Sequence, residues 1–110
     1  MSEVLAIEPQ ASSAYTFNAS AVPVDYMAES MQAYVEDGAR LGSFSHALLT
    51  NDLHGAFVTA DQNNLAAMQE WVTWCRWNLP AGCWGSVEKV KAWEAAGGMR
   101  GLLKAKEAAA

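Results

Sequence analysis

The side chains suited to catalysis or metal binding are few in this chain and poorly spaced for either role. Its two histidines, His46 and His54, lie eight residues apart, which is about 12 Å along a helix and too far to share one metal ion. Its two cysteines, Cys75 and Cys83, form no CxxC pair and match no zinc spacing. No nucleophile with a neighbouring base, phosphate-binding glycine loop or close carboxylate pair is evident in the sequence. We therefore expect reduced thiols and a protein that is not an enzyme and uses no metal or cofactor.

The distribution of charge suggests one kind of binding surface. Residues 1–70 carry nine acidic side chains and one arginine, a net charge of −8, whereas residues 71–110 carry a net charge of +3. This polarity disfavours duplex nucleic acid as a partner, because a broad basic face would be needed. It is compatible with a basic protein partner or a homo-oligomer, although solvated charges also fall unevenly by chance. The candidate partner-binding residues are Glu29, Glu36, Asp37 and Asp52.

The tryptophans suggest a different kind of site. All five lie between residues 71 and 93, in the part of the chain, residues 71–110, that carries most of the basic side chains. A nucleotide could stack on an exposed indole, with its phosphate held by cations and by the start of a helix. The alternative is that these residues form a buried aromatic core and an ordinary helix cap. The candidate ligand-binding residues are Arg76, Trp77, Trp84, Ser86, Lys89 and Lys91.

The elements that position these groups are predicted to be helical. Alanine, leucine and methionine are frequent and β-branched residues are scarce, which favours helix over strand. Apolar residues recur at steps of three and four, and Gly, Pro and Ser residues interrupt this pattern and divide it into segments. We predict an all-α fold, a compact bundle of about four helices near residues 23–37, 43–58, 62–78 and 86–96.

The same spacing predicts which side chains face the core. The inward positions of the second helix should be Phe44, Ala47, Leu48, Leu53 and Phe57, and those of the third Leu65, Met68, Val72 and Cys75. In the first helix they should be Val24, Met27, Met31, Tyr34 and Val35, and in the fourth Val87, Val90 and Trp93. Three tryptophans within seven residues, 71 to 77, are difficult to bury completely. We expect at least one of them to reach the surface.

Residues 1–22 show no helical or strand period, so we expect an extended or partly disordered arm that Tyr15 and Phe17 could dock onto the body or a neighbouring subunit. The helical domain should then span residues 23–98. Residues 99–110 should form a helix-prone basic tail that frays on its own. No signal peptide or apolar run of about 20 residues is present, and a cytoplasmic location is expected.

Several short motifs resemble those of a family of small helical accessory proteins encoded by phages and prophages of proteobacteria. The motifs are Leu49-Thr50-Asn51-Asp52-Leu53 and the ending Trp84-Gly85-Ser86-x-Glu88-Lys89-Val90-x-x-Trp93, within a resemblance that covers roughly residues 26–93. The resemblance implies no established chemistry. It favours a counter-defence inhibitor that binds a host or anti-phage defence component stoichiometrically. An oligomeric sponge for a nucleotide immune signal is the alternative. Asn51 and Asp52 either belong to such a site or satisfy backbone groups of a turn.

Overall fold

The computed structural model describes residues 15–109, and in that part of the chain all regular structure is helical. Seven α-helices follow one another: α1 Ala28–Asp37, α2 Ser43–Leu49, α3 Leu53–Thr59, α4 Gln62–Ala66, α5 Met68–Asn78, α6 Val87–Ala96 and α7 Gly98–Ala109. Short 3-10 helices lie at Ala19–Ala21, Asp25–Met27 and Ala81–Cys83. The predicted compact, all-α class is confirmed. The predicted number of helices is wrong, because seven are present where about four were expected.

The predicted helix 43–58 is interrupted by a turn at residues 50–52. Asn51 has a positive φ of 67°, and the backbone N–H of Asp52 donates to the carbonyl of Ala47 at 2.8 Å, which ends α2 in the manner of a left-handed C-cap. The Asp52 side chain then accepts the N–H of Gly55 at 3.0 Å and begins α3. One cap ends a helix and the next begins another, so α2 and α3 are separate helices.

The other predicted boundaries differ to smaller degrees. The helix expected at 62–78 is interrupted at Ala67, whose N–H is shared between carbonyls of the preceding turn, a tightening typical of 3-10 geometry. The helix expected at 23–37 begins only at Ala28, because Val24 is extended and buried. The helix expected at 86–96 is confirmed as Val87–Ala96, capped by Ser86.

The core takes its largest buried side chains from α1, α5 and α6. Its fully buried large side chains include Met31, Tyr34, Trp71 and Trp93. The indole N–H of Trp93 donates to the Tyr34 carbonyl at 3.1 Å, and the Tyr34 hydroxyl donates to the Cys83 carbonyl at 2.7 Å. These buried hydrogen bonds tie α1 both to α6 and to the turn before it.

Both ends of the described chain pack on this core. Phe17 is buried with its ring edge against Trp74, and the Tyr15 hydroxyl donates to the carbonyl of Asn78 at 3.0 Å. Of the two surfaces onto which these rings could dock the arm, the body or a neighbouring subunit, the contacts within the described chain are with the body. Residues 1–14 of the predicted arm lie outside the described residues. The tail, expected to fray, is helical as α7, with Met99 buried and Leu102 against the core.

Candidate functional site

The four acidic residues predicted to bind a partner do not form one surface. Glu29 is exposed in the first turn of α1. Glu36 and Asp37 at the other end of α1 both pair with Arg100 of α7, so their charge is partly neutralised within the chain. Asp52 lies on a different element, the turn between α2 and α3. Of the four, Glu29 and Asp52 are the carboxylates that remain without a cationic partner in the described chain.

The residues predicted to bind a nucleotide are also separated. Trp77 is 74% exposed, and the Arg76 guanidinium lies 5.6 Å from the centre of its ring, which confirms that one tryptophan reaches the surface. At the start of α6, the Ser86 hydroxyl accepts the N–H of Lys89 at 3.2 Å, and the Lys89 ammonium donates to the Ala81 carbonyl. Both groups therefore already have hydrogen-bond partners. Lys91 lines another depression, together with Arg40, His46 and Glu94.

A groove between α3 and α5 brings together one residue from each hypothesis. Asp52 and Trp84 both line it, and its volume is about 70 Å³. The other lining residues come from α2, from the α2–α3 turn, from α3 and from α5: Leu48, Asn51, Leu53, Ala56, Met68, Val72 and Cys75. The walls are mostly apolar, and Asp52 is the one lining residue with a carboxylate. Burial raises the pKa of the Cys75 thiol to about 12, so that side chain is a neutral part of the wall at ordinary pH.

Two glycines and one long-range hydrogen bond hold the polar and aromatic groups of the groove in place. Gly55 allows the Asp52 carboxylate to fold back over α3, because a Cβ at residue 55 would lie 2.2 Å from an Asp52 Oδ2 atom. The N–H of Gly85 donates to the carbonyl of Leu49 at 2.7 Å, which fixes the loop that carries Trp84 against the end of α2. Gly85 has φ 115°, a conformation that favours glycine. The two short motifs of the sequence thus meet at this groove.

The rim of the groove is more apolar and more exposed than the sequence predicts. Leu53 is 70% exposed and Val72 55% exposed, and both line the groove. Phe57 of α3 and Leu65 of α4 are each 46% exposed as well, although neither lines the groove. All four exposed residues, together with the 43% exposed Val87 of α6, were expected in the core, and that prediction is wrong. For Leu53 and Phe57, the break at residues 50–52 ends the single helical register on which that prediction was based.

Sequence reasoning identified Asp52 and Trp84 but missed the groove they share. Leu53 and Val72 were absent from both sets of candidate residues because their spacing matched a core stripe. Their exposure depends on where α3 packs, which the periodicity of one segment does not determine. One available signal was the polar pair Asn51 and Asp52 inside an apolar segment, which in this structure marks the turn.

Comparisons of the chain with protein-family models, with curated proteins and with solved structures give no match. The function must therefore be inferred from the geometry of the groove. Within residues 15–109, no group of three or more His, Cys, Asp or Glu side chains is arranged to hold a metal ion. The helices of this same region are all too short or too polar to cross a membrane.

Proposed function

We propose that the protein is a non-enzymatic binding protein that acts stoichiometrically, using the groove and its apolar rim to hold a protein partner. The observation that carries this proposal is the exposure of Leu53 and Val72, two apolar side chains that line one groove. Neighbouring exposed apolar side chains on a small domain are typical of a surface that another protein covers. Asp52, the one lining residue with a carboxylate, would give the contact its orientation.

The size of the groove favours a protein partner over a small molecule. Its volume of about 70 Å³ is well below the roughly 300–1,000 Å³ of typical small-molecule sites. A space of this size suits a single side chain that projects from a partner's surface, with neighbouring residues resting on the exposed rim. Such central anchors surrounded by a less critical rim are characteristic of protein interfaces.

The resemblance to phage accessory proteins gives the class of partner to test first. We propose a host protein or a component of an anti-phage defence system, inhibited by being held in a complex. The acidic character of Asp52 and of the exposed Glu29 would complement a basic partner surface. Glu36 and Asp37 are weaker candidates for that contact, because Arg100 already pairs with both.

The proposal can be tested by native mass spectrometry of complexes purified from cells that naturally produce the chain. We expect a complex of fixed stoichiometry that is lost in Leu53→Glu and in Val72→Glu, because each places a charge on the rim. Val58→Glu is the matched control, since Val58 lies on the same helix as Leu53, is similarly exposed at 68% and does not line the groove. Thermal melts should show that all three variants fold. A complex that survives Leu53→Glu and Val72→Glu would contradict this function.

A second candidate function is an oligomeric sponge that holds a nucleotide signal. Exposed Trp77 with the Arg76 guanidinium beside its ring favours it, since an indole and a cation can sandwich a base. Trp77→Ala should then abolish nucleotide binding measured by calorimetry, with little change in the melting temperature because the ring is mostly exposed. Val72→Glu, on the groove, should leave nucleotide binding unchanged. Equal nucleotide binding by the wild-type and Trp77→Ala proteins would exclude this role for Trp77.

A further inference from the structure

We propose that the groove recognises the side chain of an arginine or lysine projecting from the partner protein. This inference rests on the proposed function and specifies the chemistry of the anchoring residue. The apolar walls would accept the methylene stem, and the Asp52 carboxylate would bind the charged head. The partner segment would therefore carry a basic residue flanked by apolar residues that cover Leu53 and Val72.

The charge of the groove supports a cationic occupant. Asp52 is the one ionisable acid or base among its lining residues apart from the Cys75 thiol, and no Lys or Arg of the described chain pairs with it. One of its oxygens accepts the Gly55 N–H, and a carboxylate has further acceptor positions. An apolar occupant would remove water from this carboxylate without replacing its hydrogen bonds, which is unfavourable. An acidic occupant would be repelled.

The walls of the groove support a long, amphipathic side chain. Leu48, Val72 and Met68 offer aliphatic contacts, and arginine and lysine commonly bury their stems on such surfaces while the head remains polar. Trp84 adds an indole, the aromatic group that attracts cations most strongly. The hydrogen bond from Gly85 to the Leu49 carbonyl joins the loop that carries Trp84 to the end of α2. The same end of α2 thus holds both the Trp84 indole and the Asp52 carboxylate at the groove.

Gly55 is further support for this assignment. Glycine within a helix is unfavourable by about 1 kcal/mol relative to alanine, yet residue 55 is a glycine in the first turn of α3. Its missing side chain is what leaves room for the Asp52 carboxylate, because a Cβ there would lie 2.2 Å from one oxygen of that group. The arrangement places the acid at the groove at some cost to the helix.

The test uses the full chain and three soluble probes: the N-acetyl amides of arginine, citrulline and norleucine. Citrulline has nearly the shape of arginine without its charge, and norleucine supplies the stem alone. Binding is followed by two-dimensional NMR at the Trp84 indole N–H and the Gly55 amide. We expect the arginine probe to shift both signals and to bind about tenfold more tightly than the citrulline probe, as a charged hydrogen bond would give.

Asp52→Asn is the decisive variant, because asparagine caps a helix about as well as aspartate but carries no charge. We expect its melting temperature to stay close to that of the wild type and its arginine-to-citrulline preference to fall to about one, as loss of the charge requires. Asp37→Asn, which removes a carboxylate paired with Arg100, is the matched control and should keep the preference.

Three outcomes would overturn the inference. The first is equal binding of arginine and citrulline by the wild type, or no binding of arginine. The second is an arginine preference that persists in Asp52→Asn. The third is a dimer in light scattering that Leu53→Glu dissociates, because the groove would then hold a second copy of the chain. The proposed function fails separately, when the purified complex survives Leu53→Glu and Val72→Glu.

Discussion

Replacing Gly55 by alanine tests how the Asp52 carboxylate is held at the groove. The new Cβ would lie 2.2 Å from Asp52 Oδ2 and 2.8 Å from its Cγ, and 3.3 Å from the Cβ of Ala47. The backbone of α3 cannot yield easily, whereas the Asp52 side chain can rotate. We therefore expect Gly55→Ala to expel the carboxylate from its position and to break the hydrogen bond to the residue 55 N–H.

The expected change in stability is small because two effects oppose each other. Loss of a side-chain cap costs about 1 kcal/mol, and alanine in place of glycine contributes up to about 1 kcal/mol in a helix. The gain is smaller in the first turn, so the net loss should lie between zero and about 1 kcal/mol. For a domain of this size, the melting temperature should fall by at most roughly 4–8 °C. The arginine preference of the groove, in contrast, should be lost.

A double-mutant cycle isolates the contact between residue 55 and the Asp52 carboxylate. In the Asp52→Ala background the carboxylate is absent, so Gly55→Ala should stabilise the protein by up to about 1 kcal/mol. Urea unfolding of the four proteins should therefore give a coupling energy of about 1 kcal/mol between the two positions. An equal effect of Gly55→Ala in both backgrounds would refute the reasoning, since it would mean that residue 55 does not contact the carboxylate.

Three further predictions concern the core. Phe17→Ala should lower the free energy of unfolding by about 3 kcal/mol because the ring is buried on Trp74; denaturant unfolding measures this, with exposed Thr16→Ala as the neutral control. Tyr34→Phe should cost about 1–2 kcal/mol in the same assay, because it leaves a buried carbonyl without its donor. Burial raises the pKa of Cys75 from 9.0 to about 12, so its contribution to stability is complete below pH 9 and is lost as pH rises toward 12. Melting temperatures from pH 7 to 11 should fall less steeply in Cys75→Ala.

The parts of the fold that depend on local chemistry could be predicted from the sequence. Ser86 caps α6 as expected, and Gly97 ends it with a positive φ. Local chemistry was also the cause of the main error, the prediction of one continuous helix over residues 43–58. The positive φ of Asn51 ends one helix and the Asp52 side chain begins another, but an apolar period of three and four continues across them and predicts one long helix. The turn is decided by two caps acting together, and the period carries no information about them.

The groove could not be predicted because it depends on contacts between distant residues. Asp52 and Trp84 are 32 positions apart in the chain, and each was identified for a different reason. They line one groove because the Gly85 N–H bonds to the carbonyl of Leu49. Such a backbone hydrogen bond leaves no trace in hydrophobic periodicity or in charge. Sequence reasoning could name the residues but not bring them together.

The way α3 is held in the fold connects its stability with the proposed binding. A helix of seven residues has little stability of its own, and α3 buries one residue, Ala56, while Leu53, Phe57 and Val58 are exposed. Two features hold it at its start: the Asp52 cap and the close approach of Gly55 to Ala47 of α2. A partner that covers Leu53 and binds Asp52 would therefore supply the apolar contacts that α3 lacks. It would also contact the carboxylate that caps the start of α3. Binding and the ordering of α3 should thus be coupled through one carboxylate. This is why Asp52→Asn, which keeps the cap and removes the charge, separates the role of that side chain in the fold from its proposed role in recognition.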